Sequence, residues 1–215
     1  MMQLINILRK IKKFIIQDSL TEEYERFISD GGDEIIFKKI NLSSNSIVID
    51  GGGFNGEFTD QLIKKNCKNI IIYEPDNDFF LRLSEKYSHT KNIKVINLAL
   101  YNRNQKINLS NNANASSIME KSDIGEKVNA IDVGFEFKNY EKIDLLKLNI
   151  EGAEYDVLDR LIETQEIRKI KYLLVQFHQE HDLDGTKFNS IFSKIKRDYE
   201  IIFNYKYVWS LFIKK

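Results

Sequence analysis

From residue 46 onward the apolar and polar positions switch repeatedly between a strand-like and a helix-like period. Ser46–Asp50 (SIVID) is a short apolar run that ends in an acid and three glycines. Glu57–Lys65 has helical spacing, Asn69–Glu74 (NIIIYE) reads as the next strand, and Asn77–Glu85 as the next helix. Ile93–Leu98 is a third strand. Further on, Ile143–Ile150 (IDLLKLNI), Glu151–Thr164, Lys171–Phe177 (KYLLVQF) and Thr186–Arg197 repeat the strand–helix order. Tyr199–Tyr205 and Tyr207–Ile213 then form an antiparallel closing hairpin. Strands alternating with helices predict an α/β fold, a mostly parallel sheet with helices on both faces. Near-continuous apolar strands such as NIIIYE fit burial on both sides.

Two stretches depart from this rhythm. Residues 99–139 hold short β-like pieces, Lys106–Leu109 and Val128–Asp132, around a polar loop, NNANASS. They read as an insertion (near 100–139) beside the site. Upstream, Leu4, Leu8, Ile11 and Ile15 share one helical face, with most basic residues elsewhere. A helix lying on a membrane surface has this pattern, but a helix packed on the domain uses it more often. Residues 20–40 read as a second helical region, interrupted near Gly31-Gly32. The predicted organisation is a helical segment over 1–42, packed on a single domain over 43–215.

Composition narrows the function. Lys+Arg and Asp+Glu are both 32, so the net charge is zero. That balance argues against a nucleic-acid partner, which calls for a basic excess. No apolar run reaches bilayer-spanning length, and Arg9, Lys10, Lys12 and Lys13 break up any signal-like stretch. A single cysteine, Cys67, cannot form an internal disulfide, so a cytoplasmic setting is expected. There is no Cys/His cluster of zinc spacing. Asn149, Glu151 and a neighbouring carboxylate can supply oxygen ligands to Mg²⁺, but no metal is assigned.

The strongest chemical signal is the run Val48-Ile49-Asp50-Gly51-Gly52-Gly53-Phe54-Asn55-Gly56, which ends a strand and opens a helix. Glycines there permit tight turns and close approach of a ligand to the backbone. Glu74 ends the next strand, where an acid can bond both hydroxyls of a ribose. Gly51, Gly53 and Gly56 also fit the dinucleotide pattern G-x-G-x-x-G. Asp50 speaks against that ligand, because an acid at the strand tip repels a pyrophosphate. It suits S-adenosylmethionine, which has no phosphate and carries an ammonium and a sulfonium. Tyr87 and Lys91 mimic a dehydrogenase pair but fall too early in the chain to reach a hydride-transfer site. Gly52→Val is expected to abolish cofactor binding without unfolding the domain.

Several of these segments together resemble the FkbM family of S-adenosylmethionine-dependent methyltransferases. VIDGGGFNGEFT (Val48–Thr59) looks like its cofactor loop, and Tyr73-Glu74-Pro75 like its E-P signature. Asn97-Leu98-Ala99-Leu100 resembles its N-x-A-L segment, and Ser116-Ser117 sits where the family has a serine-rich turn. DLLKLNIEGAEYDVL (Asp144–Leu158), followed by LLVQFH, is the most specific match. The resemblance spans roughly 46–213 and implies a Rossmann-like class I methyltransferase fold with a seven-stranded sheet. It implies a cofactor site built from Asp50, Gly51, Gly52, Gly53, Phe54, Asn55, Gly56, Glu74, Pro75, Leu98 and Ala99. It also implies O-methylation, often of sugars or natural-product hydroxyls. In departures from the family pattern, Gly53 and Phe54 replace an Ala and an Asn, and Asn149 stands where many members have Asp. The N-I-E-G and Q-F-H combination resembles a branch seen among surface-polysaccharide genes.

Methyl transfer needs an aligned acceptor oxygen and a group to take its proton. Ligands of open α/β sheets lie beyond the carboxyl ends of the strands, where Asn149, Glu151 and His178 are expected. His178 is the first candidate base, since an ordinary imidazole titrates near neutral pH, with a histidine hydrogen-bonded in a structural role as the equal alternative. Glu151 is the second: it can orient the acceptor, take the proton or touch the cofactor amine, or simply favour the first turn of a helix. Glu154 reads as a solvated or structural acid. His181, Asp182 and Asp184 read as a surface loop, with a lining of the acceptor pocket as the alternative, His89 as a surface residue and Trp209 as packing. The function expected is O-methylation of a sugar or related small metabolite, with a glycan or other small molecule as acceptor. The alternatives are N-methylation or methylation of a protein or lipid-linked glycan, an NAD-dependent oxidoreductase, and a non-catalytic cofactor-binding protein.

Overall fold

The computed structural model describes residues 19–112, 115–119 and 126–215, and only the backbone at 110–112 and 115–119. The basic amphipathic segment 4–15, with its question of membrane-surface contact, lies outside the described residues. Two helices come first, α1 (19–29) and α2 (Asp33–Lys39), separated by a turn at Gly31-Gly32. Strand β1 (Ile47–Gly51), helix α3 (Glu57–Lys64), β2 (Asn69–Tyr73), α4 (Asn77–Lys86) and β3 (Ile93–Ile96) follow in strict alternation. After β4 (Ala99–Tyr101), β5 (Gln105–Asn112), β6 (Ala115–Met119), β7 (Glu126–Asp132) and the single turn α5 (Val133–Glu136), the alternation resumes. The remaining elements are β8 (Ile143–Leu148), α6 (Glu154–Glu163), β9 (Ile170–Val175), α7 (Thr186–Ile195), β10 (Tyr199–Tyr205) and β11 (Trp209–Lys214).

The main sheet has seven strands in the order β10-β11-β9-β8-β1-β2-β3. The five strands from β9 to β3 run parallel, and β11 joins antiparallel to β9 with β10 paired back on it. This is the predicted sheet, closing hairpin included. Its central strands β1, β2, β8 and β9 are mostly apolar because both faces are covered. On one face Ile49, Leu146, Leu173 and Val175 pack against Leu158 and Leu161 of α6 and Ile191 of α7. On the other, Val48, Ile70, Ile72, Leu145 and Leu174 pack against Phe27, Ile36, Leu62 and Leu83. Successive residues of one strand thus enter opposite cores, and a polar residue in mid-strand has no solvent to face. Among the described residues no helix is long and apolar enough to cross a membrane.

The structure differs from the sequence reading in two places that bear on the site. The NNANASS stretch is not simply a loop: β5 runs to Asn112 and pairs antiparallel with β6, in a four-stranded sheet of order β4-β7-β5-β6. Its own small core joins Tyr101, Ile107, Leu109 and Val128 to Ala153. Backbone pairing overrides the poor strand propensity of Asn in this hairpin. The second difference is the start of α6, at Glu154 rather than Glu151. Glu151 (φ 54) and Gly152 (φ 104) are left-handed, so they form a turn that delays the helix and raises Glu151 out of its first turn.

Candidate active site

The glycine loop sits where β1, β2 and β8 end together. The Gly52 N–H donates to the Tyr73 carbonyl at 2.9 Å, and the Asn149 N–H donates to the Gly51 carbonyl at 3.1 Å. Gly52 has φ +80, and a Cβ there would lie 1.9 Å from the Asn149 carbonyl oxygen. A Cβ on Gly53 would lie 2.4 Å from Ile72 Cγ2. These two glycines are therefore required by the protein's own packing. Gly52→Val would clash with the tip of β8 before meeting any ligand, so the expectation of a folded, binding-dead variant does not hold. Gly56, at φ +83, caps α3, and its carbonyl accepts from the Tyr87 hydroxyl at 2.9 Å. Lys86 Nζ donates to the carbonyl of the exposed Asn55 at 2.9 Å. Tyr87, set aside as a dehydrogenase residue, is thus a brace for this loop.

Asp50 does not present a free carboxylate to a ligand. It is wholly buried, with Oδ2 accepting from Thr59 Oγ1 at 2.9 Å and Oδ1 from Lys147 Nζ at 2.9 Å. The same ammonium donates to the carbonyls of Gly51 (3.2 Å) and Gly52 (2.7 Å). The expectation that Asp50 meets the cofactor's charge, and the argument that it repels a pyrophosphate, both weaken, because its charge is neutralised in place. Asp50 shapes the loop through Lys147. The signal for this partnership is a lysine at the centre of the apolar run IDLLKLNI, where a cation can persist only if paired.

Glu74 stands at the tip of β2, 6% exposed. Its Oε2 accepts from the Phe54 N–H at 2.8 Å and Oε1 from the Asp76 N–H at 3.0 Å. Burial pushes its carboxyl above the usual range, against the pull of those two donors. A carboxylate has about four acceptor sites, so two remain for a ligand. Phe54, left-handed at φ 49 and 41% exposed, lays its ring 4.6 Å from that of Phe79 beside this acid. Asn97 Nδ2 donates to the carbonyls of Glu74 (3.1 Å) and Pro75 (3.0 Å), tying the β3 exit to the β2 tip. Leu98 is half-buried and Ala99 buried beyond it. Leu100 Cδ1 lies 3.1 Å from where a Gly51 Cβ would be.

The ends of β8 and β9 bring Asn149, Glu151 and His178 to the same edge. Asn149 Oδ1 is buried with no hydrogen-bond partner among the described residues, an acceptor waiting for a donor beside Gly52. His178 is 8% exposed and lies between two acids: Nδ1 is 3.0 Å from Glu154 Oε1 and Nε2 is 3.3 Å from Glu151 Oε2. Burial opposes the charged imidazole, but the Glu154 carboxylate and the bond to Glu151 outweigh it and push the pKa up to about 10. The ring therefore holds its proton at neutral pH. A protonated ring counts against His178 as the base and leaves it the role of a hydrogen-bonded, positioning histidine. Of the two readings of Glu154, solvated or structural, the structural one holds. Glu154 is wholly buried rather than solvated, and it also accepts from the N–H groups of Ile150 (2.7 Å) and Gly152 (2.9 Å). It thereby builds the turn that carries Glu151. Asp182 is buried too, accepting from the N–H groups of Lys187 (2.9 Å) and Phe188 (2.8 Å) at the start of α7. It is a cap, not part of a surface loop.

The Methyltransferase FkbM domain matches residues 50–201, more than half of the chain. No curated protein matches the sequence. A crystal structure of the methyltransferase FkbM from Methylobacillus flagellatus KT is similar over 82% of this chain, with 17% identity and a TM-score of 0.57. This chain covers 45% of that protein, a little under half its length. A dimethyladenosine transferase from Plasmodium falciparum is similar over 85% of this chain and 60% of its own, with 16% identity and a TM-score of 0.51. At these identities the likeness is one of fold, the class I methyltransferase sheet.

Proposed function

The chain belongs to the FkbM methyltransferase family, and on that premise we propose that it moves a methyl group from S-adenosylmethionine to a hydroxyl oxygen of a sugar or related small metabolite. The observation that carries the cofactor reading is the juxtaposition at the glycine loop. Glu74 is clamped to the Phe54 N–H and keeps acceptor capacity for two ribose hydroxyls. Asn149 Oδ1, buried and unpartnered among the described residues, suits the ammonium of the same ligand. In this reading residues 43–215 are the catalytic unit, with helices α1 and α2 packed on it through Phe27 and Ile36.

The cofactor supplies a methyl group on a sulfonium: as the acceptor oxygen bonds to the methyl carbon, the carbon–sulfur bond breaks and its electron pair stays on sulfur. The chain's own residues align the acceptor and take its proton. We assign the proton to Glu151. Its carboxylate is partly exposed, lifted on a left-handed turn and tethered to His178. His178, held protonated between Glu151 and Glu154, is a positioning residue that fixes that carboxylate. Acids at this edge, together with zero net charge, favour a neutral small acceptor over a nucleic acid, whose phosphates they repel.

The deciding experiment is calorimetric titration with S-adenosylhomocysteine and, separately, NAD⁺. Binding of the first alone supports the reading; binding of NAD⁺ alone overturns it. A screen of hydroxyl acceptors for S-adenosylhomocysteine release then tests O-methylation. Cofactor binding with no turnover on any hydroxyl acceptor would favour a non-catalytic binding protein.

A further inference from the structure

Three carboxylates face His178 from different elements. Glu151 comes from the turn after β8, Glu154 from the first turn of α6, and Glu180 from the single 3₁₀ turn Gln179–His181 after β9. Ligand atoms of Glu151, His178 and Glu180 all lie within 4.8 Å of one another. Among the described residues the ion pairs of Glu151 and Glu154 are with His178 alone. One imidazole cannot balance three acids, so this corner carries a negative excess that a divalent cation would relieve.

We propose that Glu151, His178 Nε2 and Glu180 form a binding site for one divalent transition-metal ion at the acceptor end of the sheet. The proposal rests on the reading of this edge as the acceptor side. A second arrangement points the same way. A metal-bound imidazole characteristically turns its other nitrogen to a carboxylate, which fixes the ring and raises its basicity. His178 does this: Nδ1 is 3.0 Å from Glu154, an acid with no exposure whose other bonds are to backbone N–H groups. Nε2 is thereby directed toward Glu151 and Glu180. One imidazole with two carboxylates suits Mn²⁺, Fe²⁺, Co²⁺ or Zn²⁺ better than Mg²⁺ or Ca²⁺, which take oxygen ligands. The ion takes the place of the Nε2 proton, since a ligating histidine is neutral. Glu180 is exposed on its short turn, so the small closure needed to bring the ligands to bonding distance costs little there. Three protein ligands leave coordination positions open, enough for the oxygen of an acceptor hydroxyl, whose acidity a bound cation raises. Glu151 has two oxygens, one for the ion and one for the acceptor's proton. The sequence hides the set because Glu151 lies far from His178 and Glu180 in the chain, and their types match no zinc spacing.

The test is titration of the full chain, stripped with EDTA and desalted, with Co²⁺, read by visible absorption. The expected result is one Co²⁺ per chain. Glu180→Gln, at an exposed position that should not disturb folding, is expected to weaken binding by about tenfold or more, at least the loss of an outer-shell partner. Glu85→Gln, an exposed acid on α4, should bind as wild type. No Co²⁺ binding by wild type, or unchanged affinity in Glu180→Gln, would overturn the site. S-adenosylhomocysteine titrated into the same metal-free sample separates the two readings. If it binds while Co²⁺ does not, the metal site alone is wrong; if it too fails, the cofactor reading falls.

Discussion

The carboxyl edge of the sheet has two halves built on opposite electrostatic plans. Around β1 and β2 every charge is answered within the protein: Asp50 by Lys147 and Thr59, Glu74 by two backbone N–H groups. Around β8 and β9 the charge is unbalanced, with Glu151, Glu154 and Glu180 about one imidazole. The first half is a cradle in which the Asn149 backbone dictates Gly52 and the Ile72 side chain dictates Gly53. The second is a place that attracts positive charge and donors.

Substitutions can separate the two halves, and the largest effect is expected on the open one. Glu151→Gln removes the proposed proton acceptor while keeping the shape. Turnover with a hydroxyl acceptor is expected to fall by about 10²–10⁴-fold, the usual worth of a general base. Affinity for S-adenosylhomocysteine should be unchanged, and a parallel loss of that affinity would blur the division drawn here. On the closed half, Lys147→Met leaves Asp50 buried without its partner. A loss of about 3–5 kcal/mol in urea unfolding is expected; a stable variant would show that the pair is dispensable. Glu74→Gln retains an acceptor for the Phe54 N–H but removes the charge. The amide NH2 then faces the Asp76 N–H, so a small loss of melting temperature is expected, and S-adenosylhomocysteine should bind more weakly by roughly 1–3 kcal/mol. Glu74→Ala is the poorer probe because it also frees the Phe54 and Asp76 N–H groups.

The smallest effect is one of pH. In the folded chain His178 has a pKa raised from 6.5 to about 10, by Glu154 and Glu151 acting against burial. A raised folded-state pKa stabilises the fold below the unfolded value, so this contribution is fully present below pH 6.5 and lost as pH rises through about 10. With a chelator present, wild type should lose stability across that window relative to His178→Gln. Equal slopes in the two proteins would mean that the imidazole is neutral throughout.

Much of the cradle was legible in the chain, and less of the acceptor corner. SIVID-GGG and NIIIYE-P are contiguous runs whose period and punctuation report strand, turn and helix directly. Register then follows from the apolar pattern, and so Glu74 lands beside the loop. The Asp50–Lys147 pair was not legible, because its members are far apart in the chain and meet only when β8 pairs with β1 in parallel register. The same holds for Glu154, whose helical spacing suggests a solvated face. Two left-handed residues before it, and a histidine arriving from β9, turn it into the core.

By itself the sequence determined the alternation of strands and helices, the seven-stranded sheet with its closing hairpin, the glycine loop and the family. All of these depend on local period and short motifs. The tertiary structure alone decided which charges are spent and which are free. It neutralised Asp50, raised the proton affinity of His178, left Asn149 Oδ1 without a partner among the described residues and set three acids around one imidazole. Those properties depend on burial and on distances between strands remote in sequence, which one-dimensional spacing does not encode.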